Sequence, residues 1–145
     1  MIGKEVGGYL TNLENDYELI AKRQPLFEKS ANKNVRYELG DVFYSFWFRF
    51  VFKYNYILEI ENYAKLQEII MRDYNTFSGL MLERYFHRVA MESGKFTRIG
   101  RWWDRKGENE IDMIAEDELT DKAIFYEIKR QKDDVSIGVL KQKTE

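Results

Sequence analysis

The chain has 145 residues, of which 44% are hydrophobic and 16% aromatic, enough to build one ordinary domain or two small ones and to exclude global disorder. Twenty-three Lys and Arg against 25 Asp and Glu leave a formal net charge of -2, which excludes a polybasic tail but not a local basic face. Cys is absent, so disulfides and thiolate zinc sites are excluded, and a reducing compartment fits.

Residues 5–15 read as a short helix, with Tyr9, Leu10 and Leu13 along it and Asn15-Asp16 as a stop. Residues 17–24 read as extended up to Pro25, residues 28–34 as a polar turn, and residues 35–39 as a half-buried strand. Helix, strand, polar turn, strand is the order found in the second half of a winged helix. Asp41 is placed to cap a helix over 42–54 that is apolar nearly all round, so it is expected to be buried against more than one neighbour. Arg49 inside it is expected to pair with a carboxylate or to snorkel to the surface. The run 42–52 falls short of the about 20 residues that a bilayer span needs. No membrane partner is therefore expected, and with no secretion signal legible in Met1–Val6 the expected setting is cytoplasmic.

Residues 59–72 and 77–92 carry apolar residues at helical spacing and read as two amphipathic helices. Beyond Gly94 the period falls to two, and residues 96–103, 110–115 and 123–129 read as strands separated by polar turns. Helices followed by strands predict an α+β fold with the sheet in the last third.

Four residues can carry chemistry: Glu83, Asp112, Glu127 and Lys129. Glu127 and Lys129 are two apart in the third predicted strand and share a face. Asp112 on the preceding strand lies beside them if the two pair as a hairpin, and Glu83 sits on the helix that leads into the sheet. Converging carboxylates make a hard-oxygen site for Mg²⁺ or Mn²⁺, and a neighbouring Lys can orient water and stabilise charge on a phosphoryl group. The Asp/Glu-x-Lys spacing alone is weak, since about two such tripeptides are expected by chance. Two occur, Asp104-Arg105-Lys106 in a turn and Glu127-Ile128-Lys129 in an apolar strand. Charge in that strand needs a reason. The plain alternative is a cross-strand ion pair, for instance Lys129 with Asp112.

Between residues 84 and 106 seven basic residues face only Glu92 and Asp104. Arg98, Arg101, Arg105 and Lys106 are the candidates to line a phosphate-bearing groove, against a plain reading as solvated surface. Of Trp102 and Trp103, at most one can point at such a groove to stack on bases. His87, four after Glu83, is a candidate to support the site or a half-buried surface residue. Gly94-Lys95-Phe96 lacks the upstream glycine of a P-loop, so this stretch binds no nucleotide in that way.

Gly7-Gly8-Tyr9-Leu10, Tyr17-Glu18-Leu19-Ile20, Tyr37-Glu38-Leu39-Gly40-Asp41 and Phe46-Trp47-Phe48-Arg49-Phe50 occur in order. Gly79, Glu83, Ile99-Gly100-Arg101-Trp102-Trp103, Glu110-Ile111-Asp112 and Glu127-Ile128-Lys129 follow. Together they resemble the C-terminal region of the archaeal-type ATPase family, catalogued as domain of unknown function 234. The resemblance implies a partial winged-helix-like segment with the aromatic helix over residues 1–54 and a connecting helix over 55–75. It implies a PD-(D/E)xK, restriction-endonuclease-like domain with a helix-flanked mixed sheet over 76–145. It also implies roles: Asp112, Glu127 and Glu83 as metal ligands, and Lys129, Glu127 and Asp112 as catalytic residues.

The expectation is a nuclease-like, DNA-associated domain with Mg²⁺- or Mn²⁺-dependent phosphodiester hydrolysis. The alternative is a non-catalytic module that binds DNA or assembles with an ATPase domain or chain, and a homodimer is a further expected partner arrangement. The ATPase domain of the family is missing, and the chain ends at Glu145, soon after the Glu-x-Lys strand, where the fold normally adds a helix and a further strand, so a truncated chain or fragment is expected. Asp133-Asp134 is expected to cap that helix.

Overall fold

The computed structural model describes residues 2–28, 34–131 and 136–144. Helix α1, Ile2–Asn15, ends where the amides of Asp16 and Tyr17 both donate to the Asn12 carbonyl. Glu18, at φ 52, then turns the chain into β1, Ile20–Arg23. This strand pairs antiparallel with β2, Arg36–Leu39, from Ile20↔Leu39 to Arg23↔Arg36. Most of the polar turn expected over 28–34 lies outside the described residues.

Asp41 caps the next helix as its sequence position requires, its carboxylate accepting the amides of Phe43 at 2.6 Å and Tyr44 at 3.3 Å. The helix is not uniform. An α-helical turn, α2, Val42–Phe46, widens into a π turn, Trp47–Val51, then tightens into a 3-10 turn, Phe52–Tyr54, before α3, Asn55–Glu59. The wide turn accommodates consecutive bulky rings and lets Phe46 and Phe50 both reach Phe77, with ring centres at 5.8 and 5.5 Å. Phe50 is buried, but Phe43, Tyr44, Trp47, Phe48 and Phe52 are between 40% and 64% exposed. The expectation of burial all round is therefore corrected: one side of the run packs, and the other is a solvent-facing aromatic band.

A single 30-residue helix, α4, Tyr63–Glu92, replaces the two expected helices. Asp73 falls in the gap between them. Arg49 occupies the Asp73 carboxylate through Nε at 2.5 Å and Nη2 at 3.0 Å, so Asp73 does not compete for the helix backbone.

The chain divides into two units, one of Met1–Arg23 with Arg36–Phe77, the other of Gln24–Val35 with Ser78–Glu145. The second unit holds the main sheet: β3, Arg98–Trp103; β4, Glu110–Asp117; and β5, Lys122–Tyr126, all antiparallel with β4 central. The fold is α+β, and no parallel pair occurs among the described residues. Trp103, Ile111, Met113, Ile114 and Ala115 form its core.

Leu26 is stitched to β3 by its amide on the Arg101 carbonyl. A Cβ at Gly100 would stand 2.8 Å from Leu26 Cδ1, which explains a glycine there. Asn34 completes the join: the Trp103 indole donates to its Oδ1 at 2.9 Å, and its Nδ2 donates to the Trp103 carbonyl. Helix α5, Ile137–Thr144, lies against β4; the expected cap Asp133-Asp134 is outside the described residues. No described helix is long and apolar enough to cross a membrane.

Candidate functional site

The site grows from an irregularity in β4. Gly100 faces Ile114 across the β3–β4 ladder, but Trp102 faces Ile111, so β4 carries one extra residue opposite Arg101. Asp112 lies in this bulge, and bulges re-aim side chains beside functional sites. Two partners fix it. His87 Nε2 is 2.9 Å from the Asp112 carbonyl oxygen, and because a carbonyl only accepts, Nε2 carries the proton. The Asp112 carboxylate Oδ2 accepts the Ile128 amide at 2.7 Å.

That second bond corrects the sequence reading of residues 127–129. The strand β5 stops at Tyr126, and Glu127-Ile128-Lys129 follows it as irregular chain. The amide that would continue the ladder is taken by a side chain instead. The two charged residues nevertheless come together. Lys129 Nζ lies 3.4 Å from Asp112 Oδ2 and 3.5 Å from Glu127 Oε1. Burial lowers the Lys129 pKa, but the two carboxylates outweigh it and hold the ammonium above its ordinary value.

Glu127 is the distinctive member. Its side chain is only 10% exposed, and its Oε2 is buried with no hydrogen-bond partner among the described residues. An orphaned carboxylate oxygen beside a second carboxylate is chemically suited to face a cation. Mg²⁺ keeps several waters and needs only one or two protein carboxylates, so Asp112 and Glu127 fit that ion.

Glu83 is engaged by Arg101. Its Oε2 accepts from Arg101 Nη2 at 2.5 Å, and Arg101 Nη2 also lies 3.7 Å from Glu110 Oε1. Burial raises the Glu83 pKa, Arg101 opposes that, and Asp112 and Glu110 add to it. Among the described residues no three His, Asp or Glu side chains are arranged to share a metal ion, so the expected trio of Glu83, Asp112 and Glu127 is not assembled.

The expected DNA-facing cations divide. Arg98 pairs with Glu116 at 3.5 Å and Glu118 at 2.5 Å, and Arg101 is held by Glu83 and Glu110. Arg105 and Lys106 are exposed in the β3–β4 turn. Of the tryptophans, Trp103 is core, 3% exposed. The sequence did not reveal the hold of His87 on Asp112, although its spacing from Glu83 placed it near. Nothing in the sequence marked Arg101 as the partner of Glu83.

An α+β domain with two carboxylates and a lysine gathered at a bulged strand is thus the class defined by fold and geometry. A family model described as "Archaea bacterial proteins of unknown function", domain of unknown function 234, matches residues 47–143. The chain belongs to this family. It is also 37% identical over 128 residues to the uncharacterized protein MJECL04 of Methanocaldococcus jannaschii, a match covering 83% of this chain and 28% of that protein. The chain therefore spans under a third of the relative it matches. No solved structure matches it.

Proposed function

We propose that the chain is a nuclease-like, DNA-associated domain of the PD-(D/E)xK type, working as the C-terminal part of an ATPase-family protein and hydrolysing phosphodiester bonds with Mg²⁺ or Mn²⁺. One observation carries the reading: Lys129 joins Asp112 and Glu127 within 3.5 Å, with a Glu127 oxygen buried and unpartnered. Asp112 and Glu127 would hold the ion, which when bound supplies positive charge to polarise the phosphodiester. Asp112 is kept in place by the Ile128 amide and through its own carbonyl by His87. Lys129, within 3.5 Å of both carboxylates, is placed to offer its side-chain nitrogen to the phosphoryl oxygens. Arg105 and Lys106 are the exposed cations suited to the DNA backbone.

The test is calorimetric titration of Mn²⁺ into the wild type, Asp112→Asn and Glu127→Gln, followed by plasmid cleavage with each. Binding by the wild type that both variants lose, with cleavage lost in parallel, is expected. A folded wild type that binds no Mn²⁺, or a Glu127→Gln variant that cleaves equally, would overturn the reading.

A second reading has its own observation. The exposed band of Phe43, Tyr44, Trp47, Phe48 and Phe52 favours a non-catalytic module that assembles with an ATPase domain or with a second copy of itself.

A further inference from the structure

A recess of about 360 Å³ lies in the first unit, lined by Arg49, Phe50, Lys53, Tyr54, Ile69, Arg72 and Asp73. Three of its side chains are cationic and one is acidic. Asp73 is committed to Arg49, through bonds at 2.5 and 3.0 Å. Its carboxyl is held below the ordinary value, first by the Arg49 hydrogen bonds and further by the charges of Arg49, Lys53 and Arg72, while burial opposes. All three cations therefore act at one place, and a single carboxylate leaves two positive charges uncompensated. Arg72 makes no ion pair or side-chain hydrogen bond among the described residues. Lys53 lies over the Tyr54 ring at 5.3 Å, and its charge acts on Asp73, which is already bonded to Arg49.

The backbone supplies an independent observation. Arg49 belongs to the π turn Trp47–Val51, and Lys53 and Tyr54 to the 3-10 turn that follows. A π turn gives up regular helical hydrogen bonding and recurs at functional sites. Here the departure from α geometry spans the wall of the recess that carries two of its three cations.

We propose that this recess binds the phosphate group of a phosphate-bearing ligand. Arg72 and Lys53 contact the anion, and Arg49, already oriented by Asp73, presents its remaining guanidinium hydrogens. Guanidinium groups match phosphate oxygens in geometry, and charge assistance makes such bonds strong. The volume exceeds one phosphate group, and Phe50, Tyr54 and Ile69 offer the remainder of the ligand apolar and aromatic contact. This site uses none of the residues of the Asp112–Glu127 reading, so either can fail alone.

The experiment is calorimetric titration of two probes, inorganic pyrophosphate and a short single-stranded deoxyoligonucleotide, in chelator so that no divalent ion takes part. The proteins are the wild type, Arg72→Glu, Lys53→Glu, and Lys65→Glu as a control of equal charge change elsewhere on α4. Wild-type affinity should fall about tenfold or more in Arg72→Glu and Lys53→Glu and hold in Lys65→Glu. That pattern with pyrophosphate assigns a free phosphate anion; the same pattern with the oligonucleotide alone assigns the nucleic-acid backbone. No binding of either probe, or an equal loss in Lys65→Glu, overturns the proposal.

Discussion

The sequence offers Arg101 as a DNA contact and Glu83 as a metal ligand, and the structure pairs the two with each other. Their side chains are 18% and 17% exposed, so neither charge is fully solvated. Removing one partner of such a pair costs about 3 kcal/mol, because the survivor stays desolvated and uncompensated. Arg101→Met should therefore lower stability in urea by roughly that amount. The double change with Glu83→Met should lower it less than the single one. A double-variant loss equal to the sum of the Arg101→Met and Glu83→Met losses would mean that no energetic coupling exists.

Glu83 also gives a pH dependence with a definite sign. Its pKa is raised on folding, by burial first and then by Asp112 and Glu110 against the pull of Arg101. The folded chain then holds a proton that the unfolded chain has released, so stability falls as pH rises from 4.5 through the raised value. Glu83→Gln should flatten that mildly acidic part of the stability curve. An unchanged slope would assign it to another group. The sequence exposed the Glu127 and Lys129 pair because charge in an apolar stretch stands out. Arg101 sits eighteen positions from its partner, and only the packing of α4 with β3 joins them.

At the scale of elements, periodicity located almost every segment and misplaced their ends. The change from helical to alternating pattern at Gly94 marks the real passage from α4 to the sheet. What the pattern lacked was side chains that replace backbone partners. Asp112 ends β5 by taking the Ile128 amide, and Arg49 silences Asp73 so that α4 runs on. The π turn was equally hidden, since the apolar pattern of 42–54 is the same whether the turn is α or π.

The continuity of α4 makes Gly79 testable. It lies inside the helix, and a Cβ there meets nothing within 4 Å. Gly79→Ala removes the extra freedom of the unfolded chain and should stabilise by about 0.5–1 kcal/mol in urea or thermal unfolding. A loss of stability would mean that the helix is bent or broken there in solution.

At the scale of the molecule, the chain matches 28% of its Methanocaldococcus relative, and its own surface carries more aromatic area than folding uses. Phe43 stacks on Trp47 at 6.0 Å and Phe48 meets Phe52 at 5.5 Å, so the exposed rings form a continuous band rather than scattered residues. Contiguous exposed apolar surface of this kind marks an interaction site. A net charge of -2 offers little repulsion between copies. The isolated chain should therefore self-associate through this band at high concentration. Sedimentation should find a dimer or larger species for the wild type and a shift to monomer for Phe48→Ser with Phe52→Ser. The ring pairs with Phe77 are made by Phe46 and Phe50, and Phe48 and Phe52 are 44% and 64% exposed, so the double variant should keep its helical signal. A wild type that stays monomeric would remove self-association and leave the band to a different protein. A variant that unfolds would show instead that these rings belong to the core.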